Sequence, residues 1–301
     1  MGDDMMKDRQ ILALGFFDGV QLGHGALLKA CRAMADEAGC RAGVVTFSSH
    51  PDTLVFGKTP GLINTAADRE RLMRELYAMD TVITLPFDRA MMTMPWQEFF
   101  RLLLTRYHAA GLVCGHDFRF GDHGLGDGKK LAEACNAAGI PCVVVPEQTL
   151  DGVTVSSTYI RSLLERGDME TAVRFLGHPY ILSGTVVHGH QLGRTIGIPT
   201  ANLTLPGELL PPKFGVYACL ARIGDKKYPA VTNIGTRPTV HGEGITAEPW
   251  ILDFEGDLYG RELVLEFYRF LRPEMKFPSL EALQVEIRKN AEETREFFKK
   301  T

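Results

Sequence analysis

Long apolar runs are absent from this 301-residue chain. Nothing approaches the ~20 consecutive residues of a membrane-spanning helix, and the polar start MGDDMMKDRQ leads into ILALGFF without the order of a signal peptide. Position six is Met, which argues against myristoylation. No Lys/Arg run reaches five and the net charge is −4, so a general nucleic-acid surface is not expected. The six cysteines (31, 40, 114, 135, 142 and 219) form no C-x-x-C pair. They read as reduced thiols of a cytoplasmic protein rather than as metal ligands or a disulfide framework. Neither a Walker A loop nor G-x-G-x-x-G occurs, so the usual P-loop and dinucleotide folds are not indicated. These absences leave small molecules as the expected partners, with no nucleic acid and no membrane, and they leave the oligomeric state open.

The stretch GTVVHGHQLGRTIGIPTAN, residues 184–202, organises the second half. Glycines 189, 193 and 197 let backbone N–H groups approach an anion, with Arg194 among them. Pro199 stiffens the chain before Thr200 and Asn202, whose neutral oxygens suit Mg²⁺. A Gly/Pro-punctuated hairpin without a ligand is the other reading of the same residues.

In the first half, short apolar runs recur at 11–17, 43–47, 81–85, 111–115 and 142–145. Helical spacing fills 26–38, 66–79, 96–109 and 129–138, with a capping pattern at Thr65/Asp68 and Pro95 at a helix start. Alternation of this kind predicts a doubly wound parallel sheet, which binds ligands beyond the carboxyl ends of its strands.

Three stretches there carry chemistry. In GFFDGVQLGH, Gly15, Gly19 and Gly23 allow close backbone approach, and His24 opens the next helix, where the dipole favours anions. In GHDFRFGDHGLGD, residues 115–127, Phe118 and Phe120 fit either a planar heteroaromatic ligand or a loop pinned by two buried rings. In VSSTYIR, residues 155–161, Ser156 or Ser157 can cap a helix, and Arg161 follows one turn in, so hydroxyls and a guanidinium converge.

With these motifs on the page, residues 11–176 resemble the FMN adenylyltransferase module of the bacterial bifunctional riboflavin kinase/FAD synthetase family, a branch of the HxGH nucleotidylyltransferases. The resemblance implies nucleotide binding by Gly15, Phe17, Asp18, Gly19, Gln21, Gly23, His24, Ser156, Ser157 and Arg161, with His24 stabilising charge in catalysis. It implies flavin contacts from Asp117, Phe118 and Phe120. Two departures stand out: Gln21 replaces the first His of the motif, and Ser48 in TFSSHP stands where the family usually has an acid. A neutral amide gives about half the ~1.5–3 kcal/mol of a charge-assisted bond, roughly a tenfold effect on rate.

After Gly177, His178-Pro179 marks the expected boundary, giving domains 1–178 and 179–301. Strand patterns follow at 180–188, 201–205, 215–223, 228–234, 249–254 and 262–270, which predict a small antiparallel barrel. Ser279 caps an amphipathic helix over 280–298. NIGTRPTV reads as a loop with Arg237 fixed by Pro238, FLRPEMKF holds Arg272 and Lys276, Glu248 starts a strand as candidate base, and Asp253 reads as a turn residue.

This half resembles the riboflavin kinase module of the same family along its length. PTAN at 199–202 is the signature, FGVYA, NIGTRPTV and DLYG match, and Trp250 stands where many members have His. The resemblance implies ATP and phosphate binding by Gly189, Gly193, Arg194, Thr200 and Asn202, Mg²⁺ at Thr200 and Asn202, and Glu248 as the base. The expectation is a bifunctional enzyme that uses ATP and Mg²⁺ to turn riboflavin into FMN and FMN into FAD. Its rival is a riboflavin kinase whose first half is inactive or repurposed, a reading that rests on Gln21.

Overall fold

A computed structural model describes residues 9–57, 60–188, 193, 197–239 and 242–300. The chain forms two compact units, one from residues up to Pro60 with Arg69–Ser157, the other from Gly61–Asp68 with Thr158 onward.

The first unit runs β1 (Gln10–Leu14), α1 (Leu22–Ala38), β2 (Arg41–Phe47), α2 (Pro51–Val55), α3 (Ala66–Tyr77, begun in the second unit) and β3 (Thr81–Leu85). It continues through α4 (Arg89–Met92), α5 (Trp96–Thr105), β4 (Ala109–Gly115), β5 (Arg119–Phe120), β6 (Gly126–Asp127), α6 (Gly128–Ala137), β7 (Cys142–Val145), β8 (Thr149–Leu150) and β9 (Val153–Thr154). Five strands pair in parallel in the order β3-β2-β1-β4-β7. Central β1 and β4 are buried at every residue, so they read as continuous apolar runs rather than as alternation. The chain winds outward from β1 through β2 to β3, then returns to the other side for β4. The order therefore reverses between β1 and β4, and the crevice beyond their carboxyl ends is the topological switch point.

The second unit holds α7 (Ser157–Arg166, its first residue counted with the first unit), α8 (Met169–Leu176), β10 (Tyr180–Thr185), β11 (Leu203–Thr204), β12 (Gly215–Ile223), β13 (Lys226–Thr239), β14 (Gly242–Ile251), β15 (Glu262–Arg272) and α9 (Leu280–Lys300). Its sheet has the order β10-β15-β12-β13-β14-β11 and is antiparallel throughout. The two ends approach each other: a Cβ on Gly184 would lie 3.6 Å from Leu203, and the Val187 N–H donates to the Asn202 carbonyl at 2.9 Å. The result is a nearly closed six-stranded barrel. Helix α9, capped by the Ser279 hydroxyl on the Ala282 N–H (3.2 Å), lays Ala291 against Val216, Val231 and Leu252, with Trp250 and Leu271 at the edge. Thr65 likewise caps α3 through the Asp68 N–H (3.1 Å), but the Asp68 carboxylate takes the Ser183 hydroxyl at 2.6 Å instead of closing a reciprocal box.

Several elements differ from the sequence expectation. The NIGTRPTV stretch is not a loop: its backbone through Thr239 belongs to β13, paired with β14 despite Pro229, Pro238 and Pro249. Glu248 accordingly lies well inside β14 rather than at a strand start. Asp253 sits just past β14 with φ of 59° and pairs with Arg295 of α9 at 2.9 Å, which fits its reading as a turn residue. Helix α1 starts four residues earlier than the apolar spacing suggested, because Gln21 caps it.

Candidate active sites

At the switch point of the first unit, β1 runs into a turn that leaves the ordinary backbone regions. Phe17 (φ 60°), Gly19 (φ 84°) and Val20 (φ 43°) all take left-handed values, which cost a non-glycine residue of order 1–3 kcal/mol. Three side chains hold the carbonyls of this turn. Thr46 Oγ1 and Arg69 Nη1 both donate to the Phe16 carbonyl at 3.0 Å, and Ser157 Oγ donates to the Asp18 carbonyl at 2.9 Å. Ser157 therefore secures the turn instead of capping its own helix. Gly15 is small because a Cβ there would come within 3.1 Å of the Phe17 ring.

Gln21, 6% exposed, is the N-cap of α1: its Oε1 accepts the N–H groups of Gly23 and His24, the latter at 3.2 Å. A Cβ on Gly23 would lie 2.8 Å from that oxygen, so the glycine makes room for the amide. His24 stands in the first turn of α1 with its ring edge-on to Phe17 at 5.3 Å. Burial, and then the Arg69 charge, push its pKa down to about 3, so the imidazole is neutral around pH 7. Its Nδ1 is buried and has no hydrogen-bond partner among the described residues, as suits a group that waits for a ligand.

Across the crevice, β4 ends at Gly115, where a Cβ would sit 3.0 Å from Asp117 Oδ1. Phe118 and Phe120 stack at 5.4 Å, but they are not equivalent. Phe120 is buried against Phe99 and Trp96, whereas Phe118 is half-buried on top of it. Phe120 thus backs Phe118, and only Phe118 has surface to offer a flat ligand. Half-buried Met94 and Trp96 belong to the same cluster as Phe118, and neither they nor Thr46 and Arg69 carry a motif in the sequence. Ser156 is half-buried in the first unit. Arg161 is counted with the second unit, where its Nε donates to the Gly61 carbonyl at 2.8 Å.

In the second unit, Thr200 and Asn202 come beside Glu248 through strand pairing. Leu203 pairs with Ala247 and Thr204 with Thr246, and the Ala201 N–H extends the ladder to the Pro249 carbonyl at 3.0 Å. That register sets Asn202 opposite Glu248, and β13 sets Asn233 opposite Glu248 on the other side. Residues directly opposite share a face, so Asn202, Glu248 and Asn233 form one polar row. Alternation puts Trp250 on the same face, the one α9 covers. Glu248 is 8% exposed and its Oε1 accepts the Thr246 hydroxyl at 3.2 Å.

Thr200 lines an open pocket with Pro199, Ala201, Pro249, Phe254 and Tyr259, and the Tyr259 ring stacks on His188 at 3.7 Å. Before PTAN the Ile198 N–H donates to the Gly193 carbonyl at 2.8 Å, and a Cβ on Gly193 would collide with the Ile198 carbonyl. Gly189 and Arg194 lie outside the described residues, as does the side chain of Arg237. Arg272, whose burial lowers its pKa, bonds Asn290 of α9 at 3.0 Å.

The two stretches that carry these sites each match a known protein family. A family model described as FAD synthetase matches residues 3–159, and one described as riboflavin kinase matches 176–298. The chain belongs to the bifunctional riboflavin kinase/FMN adenylyltransferase family. Curated members from Listeria monocytogenes (34% identical, covering 99% of this chain and 95% of that one), Escherichia coli K12 (36%, 96% and 92%) and Pseudomonas fluorescens (38%, 92% and 89%) carry that name. A crystal structure described as a macrolide-efflux protein of Streptococcus pneumoniae superposes with a TM-score of 0.82 at 30% identity, over 95% of this chain and 94% of that one. That match speaks for the fold: among the described residues no helix is long and apolar enough to cross a membrane.

Proposed function

We propose that the chain is a bifunctional flavin-cofactor enzyme, with riboflavin kinase activity in 179–301 and FMN adenylyltransferase activity in 1–178. The observation that carries the kinase half is the polar row in which a buried Glu248 stands opposite Asn202, one residue from the pocket of Thr200. Glu248 takes the proton of the riboflavin 5′-hydroxyl as that oxygen bonds to the γ-phosphorus of ATP, and the bond to the β-phosphate oxygen breaks to release ADP. The Thr200 hydroxyl and Asn202 amide oxygen suit a hard cation beside phosphates, and they would hold Mg²⁺. When bound, Mg²⁺ neutralises charge on the transferring phosphoryl group. Trp250, on the Glu248 face beneath α9, offers an apolar surface for the flavin ring.

In the adenylyltransferase half, an FMN phosphate oxygen attacks the α-phosphorus of a second ATP, and the bond to the β-phosphate oxygen breaks to release pyrophosphate. The attacking phosphate is already ionised, so no protein base is required. The work falls to positioning and charge stabilisation. His24, Gln21, Ser156 and Ser157 face the phosphates, the Gly15–Gly19 turn admits the nucleotide, and Asp117 and Phe118, backed by Phe120, meet the flavin; the phosphate role of Arg161 rests on the family resemblance alone. Neutral His24 gains a proton more readily once an anionic phosphate lies beside its free Nδ1.

The test is incubation of the purified protein with ATP and Mg²⁺ plus either riboflavin or FMN, with the flavins resolved by chromatography. Riboflavin passing through FMN to FAD is expected. Accumulation of FMN with no FAD from either substrate would leave a kinase with a repurposed first half.

A further inference from the structure

We infer that Arg69 is a positioning residue for adenylyl transfer: its guanidinium forks between the carbonyls of Phe16 and Phe47 and so fixes the turn that carries the phosphate-facing groups. This rests on the reading of the first unit as an adenylyltransferase. Arg69 stands in the polar run DRER near the start of α3, where sequence pattern assigns a solvated face, yet it is 1% exposed. A guanidinium is rarely withdrawn from water so completely unless its donors are used. Here Nη1 reaches the Phe16 carbonyl at 3.0 Å and Nη2 the Phe47 carbonyl at 3.2 Å, while Cζ lies 4.0 Å from the centroid of the Phe16 ring. Phe16 follows β1 and Phe47 ends β2, so the fork ties the carboxyl ends of two adjacent strands at the edge of the crevice.

What the tie holds is a turn that would not persist alone. Within the four residues after Phe16 lie Phe17 and Val20, both left-handed, and Val20 is β-branched. Strained backbone of this kind survives where its surroundings over-determine it. Phe17 in turn is the ring against which His24 packs, so the path from Arg69 to the imidazole runs Phe16, Phe17, His24. The Arg69 charge also reaches His24, where it helps to hold the ring neutral. Lysine would keep the charge but cannot span two carbonyls with a planar fork.

The full-length chain carrying Arg69→Lys or Arg69→Met is assayed for FAD formation from FMN and ATP, with riboflavin phosphorylation and melting temperature measured on the same samples. A displacement of about 1 Å at reacting groups costs about a hundredfold. In both variants kcat for FAD formation is therefore expected to fall about 30- to 100-fold, while KM for FMN and the kinase rate stay within twofold. Thr46→Val, which removes the other side-chain donor to the Phe16 carbonyl, is expected to lower the same kcat about threefold to tenfold. A kcat within threefold of wild type in Arg69→Lys, or a rise in KM for FMN with kcat unchanged, would overturn the inference. If both Arg69 variants lose both activities through misfolding, Thr46→Val decides, and an unchanged kcat there counts against the tie. Absence of FAD formation by the wild type would instead sink the adenylyltransferase reading itself.

Discussion

Glu248→Gln separates the two activities most cleanly. The substitution keeps the side-chain shape and leaves an amide oxygen to accept the Thr246 hydroxyl, so β14 should hold its register with β13 and β11. The change in folding stability is expected to be under about 1 kcal/mol, the scale of one neutral hydrogen bond. What the amide cannot do is take a proton. A positioned base is worth about 10²- to 10⁴-fold, or about 3–5 kcal/mol on the barrier. The initial rate of FMN formation from riboflavin, ATP and Mg²⁺ should fall by that factor with KM for riboflavin little changed, because the lost contact matters only as the hydroxyl is deprotonated. FMN-to-FAD conversion by the same preparation should be unaltered. A Gln variant that keeps more than a tenth of the kinase rate would show that Glu248 is not the base, and a parallel loss of both activities would refute the division of labour.

Gln21→His should raise FAD formation about tenfold through a charge-assisted phosphate contact, while removal of the amide cap on Gly23 and His24 costs the first unit about 1 kcal/mol in denaturant unfolding; a gain in rate without loss of stability would mean that the cap matters little. Gly23→Ala puts a methyl 2.8 Å from Gln21 Oε1, so FAD formation should drop and β1 amide protection weaken, with riboflavin phosphorylation as the unaffected control. The His24 pKa is lowered in the folded state to about 3, from about 6.5 unfolded. Its contribution is thus present above about pH 6.5 and lost as pH falls toward 3, about 1–2 kcal/mol by pH 5. Hydrogen exchange of the β1 amides at pH 7.5 and 5 should show this loss in wild type and a smaller one in His24→Asn; equal losses would exclude His24 as the source.

Apolar runs sufficed for the parallel sheet, because β1 and β4 are buried on both faces and a helix precedes the next sheet strand in each case. They failed at NIGTRPTV because Gly and Pro ordinarily break strands, whereas β13 tolerates them through long pairing with β14. The glycine and histidine motifs were readable because chemistry at a helix start is local. Arg69 and Thr46 were not, since their partners, the carbonyls of Phe16 and Phe47, are backbone atoms whose direction depends on the fold. Nor could sequence distinguish Phe118 from Phe120: both are Phe among glycines, and only packing against Phe99 and Trp96 makes one of them core.

The Gln21 departure shows why a motif position cannot be valued by residue type alone. Judged by charge, glutamine is a weakened histidine. In the fold its oxygen already satisfies two N–H groups that the helix would otherwise leave open, and Gly23 gives up its side chain to allow this. The same amide group still carries a nitrogen able to donate to a phosphate oxygen. On the proposed reading the substitution exchanges a charge in the bound state for a well-capped helix in the free one, and adenylyl transfer is expected to be slower without losing the positions from which it proceeds. This is why the family's second activity is expected to survive here, slowed rather than lost.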